Sequence, residues 1–148
     1  MLINNWYVLA LSEDVGTEPL GVHALSQDFV LFRDEAGAVH CLSDICVHKG
    51  GSLCRGKVVQ GSVQCPYHGW QYGGNGRCQR IPSLGADTPM PARAKVDAYP
   101  VQEKYGIVFA FLGDLPEEQR PPLLEVEEYG QEGWRANKLT VFEVGTFY

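Results

Sequence analysis

Long apolar runs are missing from this chain. Its longest, Ile107–Leu112 among them, fall far short of the roughly 20 residues that a spanning helix needs, so no membrane span is expected. Residues 1–6 lack the basic-then-apolar pattern of a secretory signal, and the expected location is the cytoplasm. No segment carries a sustained helical repeat of apolar residues, which argues against a helical bundle. Positive charge is not in excess either. The formal net charge is −6, and general nucleic-acid binding, which asks for a basic surface, is not expected. Histidine is scarce, with four in 148 residues. The five cysteines are an odd number, which in a reducing compartment fits metal ligation better than a disulfide framework.

Glycine and proline are plentiful, at 17 and 9, and they imply many turns between short strands. Residues 6–10 read as a first strand. Residues 20–25 and 29–33 read as a pair joined by the polar turn Ser26-Gln27-Asp28, and 39–42 as a strand after the turn at 34–37. Residues 99–104 and 107–112 read as a hairpin joined by Tyr105-Gly106. This rhythm predicts an all-β chain of antiparallel sheet. Short helices are expected only at 13–14 and 125–129. Between 44 and 80 the texture changes to closely spaced glycines with brief strands at 58–59, 63–64 and 70–72. This stretch reads as a small β subdomain inserted into the larger sheet. The prolines of 115–122 mark a linker, and 139–144 reads as one more strand.

Chemistry concentrates in the inserted segment. Cys46-Val47-His48 and Cys65-Pro66-Tyr67-His68 each offer a thiolate and an imidazole from one tight loop. The residues between, 49–64, suffice for a strand-turn-strand excursion. Gly50-Gly51 and Gly69 allow close backbone approach to a metal centre, where backbone N–H groups can point at sulfur. Two Cys and two His also form a tetrahedral zinc set, so a structural zinc site is a rival reading. Zinc fingers pair like ligands, however, whereas each loop here supplies one of each type. The same segment holds five cations and one acid, a net +4, leaving −10 for the rest of a chain that totals −6. A basic rim of this kind could guide an acidic partner.

The strings Cys46-Val47-His48-Lys49-Gly50-Gly51 and Cys65-Pro66-Tyr67-His68-Gly69-Trp70 resemble those of Rieske iron–sulfur proteins. That resemblance implies a Rieske-type sandwich carrying a [2Fe–2S] cluster, with Cys46 and Cys65 on one iron and His48 and His68 on the other. Around the ligands, Tyr67 is a candidate hydrogen-bond donor to a cluster sulfur and Trp70 a candidate shield against water. Lys49 stands where the related oxygenases often have arginine, and with Arg55 it is a candidate docking rim. Respiratory Rieske proteins carry a disulfide between the loops, at positions held here by Gly51 and Tyr67, so that disulfide is not expected. Cys41, Cys54 and Cys78 read as structural or free thiols.

Asn5-Trp6-Tyr7-Val8-Leu9-Ala10, Ile81-Pro82-Ser83 and the 99–109 hairpin are similar to the N-terminal domain of Rieske non-haem iron oxygenases. The resemblance implies an electron-input domain over 1–115, with the cluster subdomain at about 44–80. Residues 116–148 would be a linker and the start of a catalytic domain. It also implies a reductase or ferredoxin as donor and a small, aromatic substrate. The acceptor would be a non-haem Fe(II) held by two His and a carboxylate, in a neighbouring subunit of the parent. His23 and His40 fall in strands before the cluster, and no His-x-x-x-His string is present, so this chain alone is not expected to hydroxylate anything. A free-standing Rieske ferredoxin is the alternative.

Overall fold

The computed structural model describes residues 3–85 and 88–137; the strand expected over 139–144 lies outside them. Among the described residues, eleven strands form three antiparallel sheets. The middle sheet is β2 (Leu20–Ala24), β3 (Gln27–Arg33), β4 (Val39–Ser43) and β9 (Ala98–Tyr99), in that order. One face packs on the sheet formed by β1 (Asn5–Leu11), β11 (Ile107–Leu112) and β10 (Val101–Lys104). The other face packs on β5 (Lys57–Val59), β6 (Ser62–Gln64), β7 (Gln71–Tyr72) and β8 (Cys78–Arg80).

β3 explains this layering. Side chains alternate across a strand, and Phe29-Val30-Leu31-Phe32 is fully buried throughout. Phe29 and Leu31 join Val39, Cys41, Val108 and Ala110 in one core. Val30 and Phe32 join Leu42, Leu53, Val63 and Tyr72 in the other. A strand apolar at every position is one with no wet face. The cluster subdomain leaves the middle sheet after β4 and returns at β9, which is hydrogen-bonded to β4 itself through the pairs Cys41–Tyr99 and Leu42–Ala98.

The turn between β2 and β3 is Leu25-Ser26, both with positive φ, and Gln27 and Asp28 already belong to β3. The expected strand over 99–104 is two, broken at Pro100, with β9 in the middle sheet and β10 in the outer one. Ser12–Asp14 is a single 3₁₀ turn, and the helix expected at 125–129 is absent, replaced by turns. The segment after β11 lies along the outer sheet. Asn4 Oδ1 accepts the N–H groups of Asp114 and Leu115 at 3.0 and 3.2 Å. Trp6 Nε1 donates to Pro121 O at 2.7 Å, and Tyr105 Oη accepts Val126 N–H at 2.8 Å.

Candidate metal centre

Two loops at one end of the third sheet repeat the same closure. In the first, Cys46 N–H donates to Gly51 O and Gly50 N–H to Cys46 O, both at 2.8 Å. In the second, Cys65 N–H donates to Trp70 O at 2.8 Å and Gly69 N–H to Cys65 O at 3.0 Å. The donor four residues past each cysteine is a glycine at φ +70° or +74°, a conformation that side chains resist. The cysteine therefore sits at the buried foot of each loop and the histidine on its outer limb. Cys46 and Cys65 are 3% and 2% exposed, whereas His68 lies in the open and His48 is half-buried.

The loops bring like groups together. The Cys46 and Cys65 side chains lie close enough to influence each other's ionisation. The His48 and His68 rings meet edge to face, with centroids 4.5 Å apart. Burial, with that thiol contact, pushes the Cys65 thiol up, while the backbone N–H groups of Tyr67 and His68 bond its sulfur and oppose the shift. His48 is held below the usual histidine value by burial and by the nearby charges of His68 and Lys49.

Trp70 stacks on His48, with centroids 4.7 Å apart and planes 5° from parallel. Tyr67 is 65% exposed and lies against His68, 4.0 Å between centroids. A hydroxyl that reaches a loop cysteine sulfur is that of Tyr72, fully buried in β7, with Oη 3.2 Å from Cys46 Sγ. Either group can supply the proton of that contact. Strand alternation puts Tyr72 on the side of Trp70. A buried tyrosine needs a partner for its hydroxyl, so this contact had a signal in the sequence, though it does not say which atom is met.

The remaining candidates go elsewhere. His23 Nδ1 is 2.6 Å from Asp28 Oδ1, and His40 Nε2 is 2.8 Å from Asp34 Oδ2. Burial pushes the thiols of Cys41, Cys54 and Cys78 up, Cys41 to about 12.

Three features fit a metal centre between the loops. His48 Nδ1 is buried with no hydrogen-bond partner, the state of a ring nitrogen whose partner lies outside the protein. A Cβ at Gly51 would come within 3.1 Å of Cys65 Sγ, so glycine keeps the space beside the sulfur open. Thiols with imidazoles are the donors that iron–sulfur and zinc sites use. Residues 5–100 match the Rieske [2Fe–2S] domain.

The chain belongs to the Rieske [2Fe–2S] domain family.

Relatives of this Rieske domain agree. The chain is 39% identical to phenoxybenzoate dioxygenase subunit alpha of Ectopseudomonas oleovorans, over 86% of its own length and 31% of the relative's. It is 40% identical to the chloroplastic chlorophyllide a oxygenase of Chlamydomonas reinhardtii, over 86% and 19%. The crystal structure of dicamba monooxygenase with non-heme iron and dicamba superposes with a TM-score of 0.72 at 34% identity, covering 82% of this chain and 38% of that one. This Rieske domain thus spans about a fifth to a third of the length of these curated relatives. No helix among its described residues is long and apolar enough to cross a membrane. A Cβ at Gly51 would stand 3.5 Å from Tyr67 Cβ, within the Cβ–Cβ range of a disulfide. The two positions thus lie at the Cβ–Cβ spacing of a disulfide, without the cysteines.

Proposed function

We propose that this domain carries single electrons through a [2Fe–2S] cluster, with Cys46 and Cys65 on one iron and His48 and His68 on the other. The observation that supports this most is the pairing at the tip, thiol with thiol and imidazole with imidazole. A Rieske cluster uses that arrangement, with two Cys on one iron and two His on the other. When bound, the cluster supplies a one-electron couple that neutral imidazoles make easier to reduce than an all-thiolate one. The protein's residues do the tuning. Backbone N–H groups from Tyr67 and His68 favour extra negative charge on the Cys65 side, and the Tyr72 hydroxyl does so on the Cys46 side. Gly51 lets the loops close over the centre. Trp70 fixes the His48 ring and excludes water from it. Exposed His68, beside Tyr67, offers the way in and out.

In the larger frame, the domain is the electron-input part of a Rieske non-haem iron oxygenase acting on a small aromatic compound. The relatives whose names carry phenoxybenzoate, chlorobenzoate and dicamba support this. Residues 1–115 form the Rieske domain, with the cluster subdomain at about 44–80, and 116–148 lead toward a catalytic domain. Electrons come from a reductase or ferredoxin. They go to a mononuclear iron outside this chain, in a neighbouring subunit of the parent, and this chain alone does not hydroxylate substrate. Location in the cytoplasm belongs to the same proposal, though some relatives are chloroplastic.

An electron paramagnetic resonance spectrum of the reduced protein, with iron and zinc measured on the same sample, tests the cluster. A rhombic signal with about two irons per chain is expected. A silent spectrum with about one zinc per chain would make this a structural zinc domain.

A further inference from the structure

We infer that Asn75 is a latent deamidation site: the turn that demands glycine at 76 also holds the reaction off, and the reaction runs when that turn leaves the scaffold. The sequence has one Asn-Gly pair, Asn75-Gly76. It lies in the turn that joins β7 to β8. Gly76 N–H donates to Gly73 O at 2.9 Å, and Gly73 N–H donates to Arg77 O at 3.1 Å.

The fold dictates both residues of the pair. Gly76 has a φ of +75°, and a Cβ there would stand 2.2 Å from Val96 O. Asn75 Oδ1 accepts Arg77 N–H at 3.0 Å, a side-chain turn that asparagine makes well. Glycine, however, leaves the amide nitrogen after Asn75 without a side chain to shield it, and Asn75 is exposed to water. In such a pair the backbone attacks the asparagine side chain most readily.

The reaction balances without an oxidant or a cofactor. Gly76 N bonds to Asn75 Cγ, the bond from Cγ to the side-chain nitrogen breaks, and ammonia leaves with the proton that Gly76 N gives up. Water then opens the cyclic imide at one of its two carbonyls. One opening gives aspartate. The other gives isoaspartate, whose main chain runs through the former side chain and is one carbon longer.

Ring closure needs Gly76 N to turn toward Cγ and to lose its proton. The native turn resists both, because Gly76 N–H is held on Gly73 O and Gly76 O accepts Val96 N–H at 2.9 Å. The surroundings then make the change one-way. A Cβ at Gly74 would stand 2.1 Å from His40 Nδ1 of β4, and Asn75 lines the same hollow as Asp34 and Glu35 of the turn before β4. The product brings a new carboxylate to those two, and isoaspartate lengthens a turn with no slack at 74 or 76. Like charge and extra length both oppose re-docking.

The test incubates the whole chain in buffer and in urea. Isoaspartate at 75 is followed by peptide mass spectrometry and by labelling with protein isoaspartyl methyltransferase. Hydrogen exchange of the Gly76 amide is measured in buffer. Isoaspartate is expected at 75 in urea and to form at least about tenfold more slowly in buffer. The slowing should equal the exchange protection of Gly76 N–H, because both reactions wait for the same bond to open. Exchange across β7 and β8 should be faster in the aged chain than in the fresh one, and Asn75→Gln should gain no label. Equal rates in buffer and urea would overturn the restraint. No isoaspartate at 75 in urea, or a label that persists in Asn75→Gln, would overturn the site. Unchanged exchange in the aged chain would overturn the one-way opening.

Discussion

Tyr72 is the buried side chain whose hydroxyl meets a proposed ligand sulfur. Its hydroxyl faces Cys46 Sγ at 3.2 Å inside a fully buried site. A hydrogen bond to a cluster sulfur stabilises the reduced, more negative state. Losing one worth about 1 kcal/mol shifts a one-electron couple by roughly 45 mV. Tyr72→Phe is therefore expected to lower the reduction potential by about that amount in a redox titration. Tyr67→Phe should leave it near the wild-type value, because Tyr67 lies against His68 in the open. Equal shifts for the two variants would remove Tyr72 from its tuning role. The four proposed ligands were legible from spacing and chemistry, since two Cys–His pairs beside glycines seldom arise otherwise. The roles of the two tyrosines were not, because a local string does not reveal which hydroxyl turns inward.

Arg33 ties the elements of the sandwich together. Its guanidinium donates to Val15 O, Gly37 O and Ser12 O at 2.7–2.8 Å and grips both oxygens of Glu103 at 3.0 and 2.8 Å. One side chain at the end of β3 thus holds the 3₁₀ turn after β1, the turn before β4, and β10. The hydrogen bond from Arg33 holds the Glu103 carboxyl below the usual glutamate value. A carboxyl depressed in the folded state contributes stability above its ordinary value. That contribution is lost as pH falls through the depressed one. The acid limb of a stability-versus-pH curve should therefore flatten in Glu103→Gln, with about 1 kcal/mol lost at neutral pH. An unchanged limb in chemical denaturation would show that the pair contributes nothing. Strand positions followed from alternation and turn residues, but sheet membership did not. Pro100 splits a run that reads as one strand, and β8 was hidden because Cys78-Gln79-Arg80 has little strand character. Its backbone is fixed by Cys78 N–H to Ala94 O at 2.8 Å, a partner distant in sequence. Gly56 shows the same limit. A Cβ there would sit 1.8 Å from Gln64 O, a crowding that only the fold reveals.

Across the whole molecule, nothing covalent joins the two ligand loops, since all five cysteines are free. The loops meet through two buried thiols, two imidazoles and the Trp70–His48 stack. Removing the metal would leave those groups facing one another with His48 Nδ1 unpaired, which costs about 1–3 kcal/mol for a buried polar group. Chelation is expected to increase cleavage within 46–70 in limited proteolysis and to leave the outer sheet protected. Uniform loss of protection would indicate that the metal holds the whole fold instead.

The route of the chain through β4 and β9 has a further consequence. The cluster subdomain enters and leaves the middle sheet through two adjoining strands, so a short turn could bridge the gap and the sandwich could close without it. Topologically the iron centre is a cassette, and the scaffold could be handed a different insert at the same gate. The packing sets the terms of that exchange. Val30, Phe32 and Leu42 face the subdomain, and any replacement must bring its own apolar underside to cover them.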